Sequence, residues 1–279
     1  MNNKSKMAAA LVLLAGSAVC AAADFAIDTV GYRYAPAVSE PGVASKVSKN
    51  ILSFTHVSGD KLGGNFFTID MLGSSANDPA NAGGKGAQEL YAIYQRNFSL
   101  SAMTGNKTGY GFAKDLSLTA RVEAGAKNTT FAPAPRKFSI GVEAAMPISA
   151  GFWNVGLALR KETGYNGIVF PGKTAGGVSF KIAPVLSSVW AIPIGGVGTL
   201  GGFASIVGPK GKDGFGSETK TETLIQAKFM FDVMGPKSGL SAGVGLEYWD
   251  NKFGGNNATA SPVNSGKAIS PLVLVEYKL

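Results

Sequence analysis

Residues 115–125 read DLSLTARVEAG, and their apolar residues fall at every second position. In an extended chain Leu116, Leu118, Ala120 and Val122 share one face, and Asp115, Ser117, Thr119, Arg121 and Glu123 share the other. A helix would scatter the same residues around its axis, so the stretch is expected to be a strand with one polar and one apolar face. The pattern recurs. Phe138, Ile140, Val142 and Ala144 oppose Lys137, Ser139, Gly141 and Glu143, and Trp153, Val155, Leu157 and Leu159 oppose Asn154, Gly156 and Arg160. Val244, Leu246 and Tyr248 oppose Ser241, Gly243, Gly245 and Glu247. Val273, Val275 and Tyr277 oppose Glu276 and Lys278.

A soluble sandwich alternates too, so the two faces must be weighed. The polar face mixes single charges with small residues and glycine, as a wet and crowded lumen would. The apolar face is aliphatic with aromatic residues near strand ends, as a lipid-facing band with girdles would be. About twelve strands are expected, near 25–35, 47–57, 64–72, 87–100, 112–125, 137–146, 151–161, 177–189, 197–207, 220–232, 239–250 and 268–279. Each is close to the ~10 residues that a tilted membrane strand needs. The connections alternate between tight bends such as MPISAG and long polar loops such as NKFGGNNATASPVNSGK, with 101–111 a bend that is longer than its place suggests. Sorted connections and an even strand count predict an all-β, transmembrane, antiparallel up-and-down β-barrel with both ends on the periplasmic side. Strands 1 and 9 alternate poorly, and Pro184 and Pro271 mark a bulge or a strand end.

The N-terminus adds the export route. Two lysines precede the apolar run MAAALVLLAGSAV, which is too short to cross a bilayer, and Ala21 and Ala23 form an A-x-A site. Residues 1–23 are read as a cleaved signal peptide and 24–279 as the barrel domain in a bacterial outer membrane. Cleavage removes Cys20, the single cysteine, so thiol chemistry and disulfides are excluded from the mature chain. Loss of Lys4 and Lys6 lowers the formal charge from +8 to +6. No dense basic run suits nucleic acid. Low charge (16 %) with 38 glycines and many aromatics does not suit disorder. His56 is the single histidine and shares a face with Leu52 and Phe54, pointing outward; no G-x-S-x-G, Walker or H-E-x-x-H pattern occurs, so no catalytic set, metal or cofactor is expected. Asp60 and Lys61 read as solvated charges in a tight bend.

The candidate solute-binding residues of the lumen are Phe66, Thr68, Asp70, Glu89, Tyr91, Arg121, Glu123, Glu143, Arg160, Lys181 and Glu247, with Gln95, Asp115, Lys137, Asn154, Gln226 and Lys228 on the same face. Twelve strands lie between the filled eight-strand barrel and the open sixteen-strand porin, so the pore is expected to be narrow. Acids and bases bind hydroxyls, and Phe66 and Tyr91 offer stacking faces to a planar ring. The plainer alternative is that these charges pair across strands and fill the barrel.

VGYRYAP, KNILSFTHVSGDKLGGNFFTIDML, NDPANAGGKGAQELYAIYQRNFSLSAMTG, GPKGKDGFGSETKTETL and GLEYWDNKFG, in that order, resemble the nucleoside-specific channel-forming outer-membrane proteins (Tsx-type, OmpK-like). The resemblance spans essentially the whole mature chain. It implies a monomeric twelve-stranded barrel that passes nucleosides by facilitated diffusion, with outer loops that can serve as a phage receptor. The chain departs from the family at Thr55, Gly64, Ile93, Arg96, Asn97 and Leu279, with fewer lumen acids as the main consequence. The expected partners are outer-membrane lipid and lipopolysaccharide, the barrel-assembly machinery and a small polar solute such as a nucleoside, with no nucleic acid. The competing expectation is a structural or adhesive barrel whose loops act as a receptor surface.

Overall fold

A computed structural model describes residues 23–40, 43, 45–80, 83–129, 133–165, 177–235, 238–255 and 266–279. The signal peptide expected over 1–23 falls almost wholly outside them. Thirteen strands follow in chain order: β1 Phe25–Val38, β2 Val47–Asp60, β3 Gly63–Ser74, β4 Gln88–Ser99, β5 Asp115–Lys127, β6 Arg136–Ala145, β7 Phe152–Tyr165, β8 Gly177–Ser179, β9 Ala183–Ile194, β10 Gly198–Val207, β11 Glu222–Asp232, β12 Leu240–Asp250 and β13 Ala268–Lys278. Twelve of them form one closed antiparallel ring. Chain neighbours pair throughout, β7 pairs with β9, and β1 pairs with β13 from Thr29↔Lys278 to Tyr34↔Val273. β8 is a three-residue extension against the upper end of β7.

The faces sort as the alternation predicts. Ile140, Leu157, Leu159, Val244 and Val273 are each more than half exposed on the outside, whereas Ser139, Arg160, Ser270 and Leu274 beside them are buried inside. Soluble monomers do not expose an apolar band of this extent. A bilayer accepts it, because a closed ring leaves no backbone donor or acceptor unpaired against lipid. Tyr32, Tyr34, Phe138 and Tyr165 are exposed toward one end of the wall, and Trp153, Phe231 and Tyr277 toward the other, in the position of two interfacial girdles. The chain is an outer-membrane β-barrel.

β1 begins and β13 ends at the end closed by bends 60–63, 145–152, 194–198 and 232–240; the longer connections gather at the opposite end. The exception at 101–111 is real. Its first part is a short helix, α1 Leu100–Thr104, whose start is capped by Ser99 Oγ and whose end turns through Gly105 at φ 70°. Asp115 holds this bend: its carboxylate accepts from Ser101 Oγ at 2.6 Å and Thr108 Oγ1 at 2.8 Å.

Three expectations need correction. Asp60 is not a solvated turn charge. Its Oδ1 accepts from the backbone N–H groups of Leu62 (2.9 Å) and Gly63 (3.1 Å) and pairs with Arg96 Nη2 at 2.8 Å. Gly63 is required there: at φ 147° a Cβ would come within 2.2 Å of the Asn97 carbonyl oxygen. The expected strand 177–189 is broken at 180–182, so Lys181 is an exposed residue beside the loop at Gly211 and lines no part of the barrel wall. Pro271 is neither a bulge nor a strand end. It lies inside β13, paired to Leu246 of β12, and is tolerated because β1 leaves the ladder at Val273. His56 points outward as expected, with Nδ1 2.7 Å from Asp28 Oδ1.

Candidate functional site

The lumen has two unlike walls. One, from β3 to β7, is built on paired charges. Glu123 of β5 is its centre. Its Oε1 accepts from Arg121 Nε at 2.9 Å and Arg160 Nη2 at 3.0 Å, and its Oε2 accepts from the Tyr91 hydroxyl with Lys137 Nζ 3.7 Å away. Lys137 donates to the Tyr91 oxygen at 3.0 Å, and Arg160 Nε donates to Ser139 Oγ at 3.1 Å. Four adjacent strands thus meet on one carboxylate. The Tyr91 ring can lie flat on the wall because its neighbour is Gly125, where a Cβ would come within 2.7 Å of the ring.

A second carboxylate, Glu143, is held by amides. Asn97 and Asn154 each donate to Oε1 at 2.9 Å, and Gln95 donates to Oε2 at 3.4 Å. Gln95 Oε1 also accepts from Arg121 at 3.4 Å, which joins the two groups. Further round, Asp70 is paired with Arg33, and Thr68 shares a hydrogen bond with Thr55 at 3.0 Å. Phe66 alternates inward on β3 opposite Gln95.

Across the lumen the wall is mostly apolar, with the Lys228–Glu276 ion pair and the Gln226–Glu247 pair as its polar members. Ala35 and Val38 of β1, Met230 of β11, and Leu272 and Leu274 of β13 form one buried cluster. Ala183, Val185 and Val207 form another on β9 and β10. Glu247 lies on this side and accepts from Gln226 at 2.9 Å, well away from Glu123. The structure therefore brings together Tyr91, Arg121, Glu123, Arg160 and, through Gln95, Glu143. Asp70 with Thr68 and Phe66 makes a neighbouring set. Glu89, Glu247 and Lys181 belong to neither.

Glu89 belongs to a third group, at the loop end of the lumen. Glu40, in the connection after β1, is buried among three lysines: Lys49 Nζ at 2.8 Å, Lys127 Nζ at 3.0 Å and Lys252 Nζ at 3.0 Å. Lys49 also pairs with Glu89 at 3.2 Å and Lys127 with Asp78 at 2.5 Å. Burial alone would push the Glu40 carboxyl up, but the three ammonium groups outweigh it and hold it well below the usual carboxylate range. A carboxyl depressed in this way contributes stability above its unfolded value, and that contribution is lost only as pH falls through the lower folded value. Unfolding in detergent should therefore show no loss of the Glu40 contribution from neutrality to pH 4.5, its ordinary value, and a loss only in stronger acid. A Glu40→Gln variant run in parallel isolates the contribution. Convergence of the two proteins already at pH 4.5 would contradict the assignment.

Lys49 and Lys127 keep the inward phase of their strands, so alternation could have found them. Glu40 and Lys252 lie in loops, where no periodicity marks them.

No protein-family model matches the chain, and no curated protein matches it. Among solved structures, the translocator domain of the autotransporter NalP from Neisseria meningitidis is similar at 11% identity and a TM-score of 0.48, covering 99% of this chain and 96% of that one. The NanC porin is similar at 9% identity and 0.47, covering 91% and 100%. The KdgM porin is similar at 8% identity and 0.43, covering 91% and 99%. Likeness at this level assigns no function.

Proposed function

We propose that the barrel is an outer-membrane channel for the facilitated diffusion of small polar solutes, with nucleosides as the first class to test. The observation that carries this reading is the pair of unlike walls. A nucleoside has a planar base with two apolar faces and a sugar rich in hydroxyls. Phe66 and the apolar wall suit the base, and Glu143 with its amides, or Asp70 with Arg33, suits hydroxyl groups. The sequence resemblance to nucleoside-specific channels points the same way.

Liposome swelling with nucleosides, against sugars of equal size, tests the proposal. Faster entry of nucleosides supports it. Equal rates would leave a general polar channel, and no flux would favour a structural or adhesive barrel. Phe66→Ala should weaken nucleoside block of the ion current by about fivefold or more, since stacking on one aromatic ring contributes ~1–3 kcal/mol per base. Unchanged block would remove Phe66 from the solute path.

A further inference from the structure

Glu40 lies where an entering solute would arrive. Lys127 ends β5, and Lys252 follows β12. Around the ring of twelve, β5 and β12 are six strands apart in either direction. Their lysines therefore reach one carboxylate from diametrically opposite sides. Twelve strands ~4.8 Å apart and tilted ~40° close a ring about 24 Å across at the backbone. A carboxylate that touches both sides must stand over the lumen and not against its wall.

Each lysine has contacts besides the Glu40 carboxylate, Lys252 among them through the Ser39 carbonyl oxygen at 3.0 Å. Lys49 is anchored by Glu89 and Lys127 by Asp78. Lys252 lies over the rings of Trp249 at 4.6 Å and Phe253 at 5.3 Å. Its own turn is strained: Asn251 and Phe253 on either side of it both have positive φ, 47° and 60°. A phenylalanine in that region is costly and persists only where the surroundings enforce it. The strain delivers the Lys252 ammonium to the mouth. With Glu40 withdrawn, the three lysines would face only Glu89 and Asp78, leaving one positive charge uncompensated in a buried place.

We propose that Lys49, Lys127 and Lys252 form a carboxylate-binding site at the mouth for acidic solutes, and that Glu40 is its resident, tethered occupant. A solute carboxylate replaces Glu40 ion for ion, so the cage stays neutral as the solute enters. The tether makes Glu40 a competitor at an effective concentration on the order of millimolar, so wild-type protein binds a free acid weakly. Binding at the cage stands apart from the channel reading; passage beyond it rests on that reading.

The test compares wild type, Glu40→Gln and Glu40→Gln/Lys252→Gln, each confirmed as a folded barrel by heat-modifiable migration, with gluconate as the probe and sorbitol as its neutral counterpart. Gluconate should raise the unfolding temperature of E40Q in detergent with an apparent affinity at least about tenfold tighter than for wild type. Sorbitol should do nothing, and the double variant should lose the response. In planar bilayers E40Q should conduct more than wild type and be blocked by gluconate. An E40Q protein without a gluconate shift, a shift that sorbitol reproduces, or a shift that survives loss of Lys252 would overturn the site. If none of the proteins carries current, the channel reading falls, while the thermal shift still decides the site.

Discussion

Glu123→Gln is expected to destabilise the barrel by about 3–5 kcal/mol and to turn its ion selectivity toward anions. The size follows from what is left behind. Glu123 is buried, and Arg121, Arg160 and Lys137 all point at its two oxygens. Removal of one partner from a buried ionic group leaves the others uncompensated, which costs far more than the intact pair contributes. Lys137 retains Glu162 opposite it on β7, but the hydrogen bonds left to the two arginines go to neutral oxygens, Ser139 for Arg160 and the Gln95 carbonyl for Arg121, with Glu143 the one remaining carboxylate charge near Arg121. The glutamine still offers an oxygen to the Tyr91 hydroxyl, so the loss reports charge and not shape. Urea unfolding in lipid vesicles reads the stability, and reversal potentials in a salt gradient read the selectivity. Arg160→Gln in the same background should recover part of the loss, because the two residues share one network. A midpoint equal to that of wild type would mean that water in the lumen already screens the group, and the charged wall would then be a solvated surface.

The wall of this barrel was legible and its contents were less so, for a physical reason. Lipid on one side and a polar lumen on the other force alternation at 115–125, 137–145 and 152–160, and the same phase placed Tyr91, Arg121, Glu123, Glu143 and Arg160 indoors before any pairing was known. Arg33 escaped because its inward neighbours Gly31 and Ala35 are small and dilute the contrast. Which charge meets which is set by register, and register depends on bends whose lengths do not announce it. Thus Glu123 was a candidate, but its role as the meeting point of four strands was not readable. The mouth lay beyond reach for another reason: Glu40 and Lys252 are 212 residues apart in loops without periodicity, and only closure of the ring brings them together. Lys181 failed where alternation was carried across 180–182, which the chain does not build as strand.

Leu159→Arg should cost about 2–4 kcal/mol of barrel stability, although the residue is 57 % exposed and touches no part of the lumen. In a soluble protein an exposed leucine is among the safest places for a charge. Here the exposure is to hydrocarbon. Leu159 is the eighth of fourteen residues of β7, with Ile140 and Pro184 as its cross-strand neighbours, so the new guanidinium begins near the middle of the apolar band and must stretch along the outer wall to reach headgroups. The next residue is the internal control: Arg160 carries the same group on the opposite face, where Glu123 and Ser139 receive it. Leu159→Phe, which keeps the face apolar, should unfold like wild type. Both variants are measured by urea unfolding in vesicles of one lipid, then in a thinner bilayer, where the penalty for arginine should shrink as the headgroups come nearer. If Leu159→Arg unfolded like wild type in both bilayers, the exposed apolar band would have to face something other than lipid, and the assignment of the two faces of every strand would have to be reversed with it.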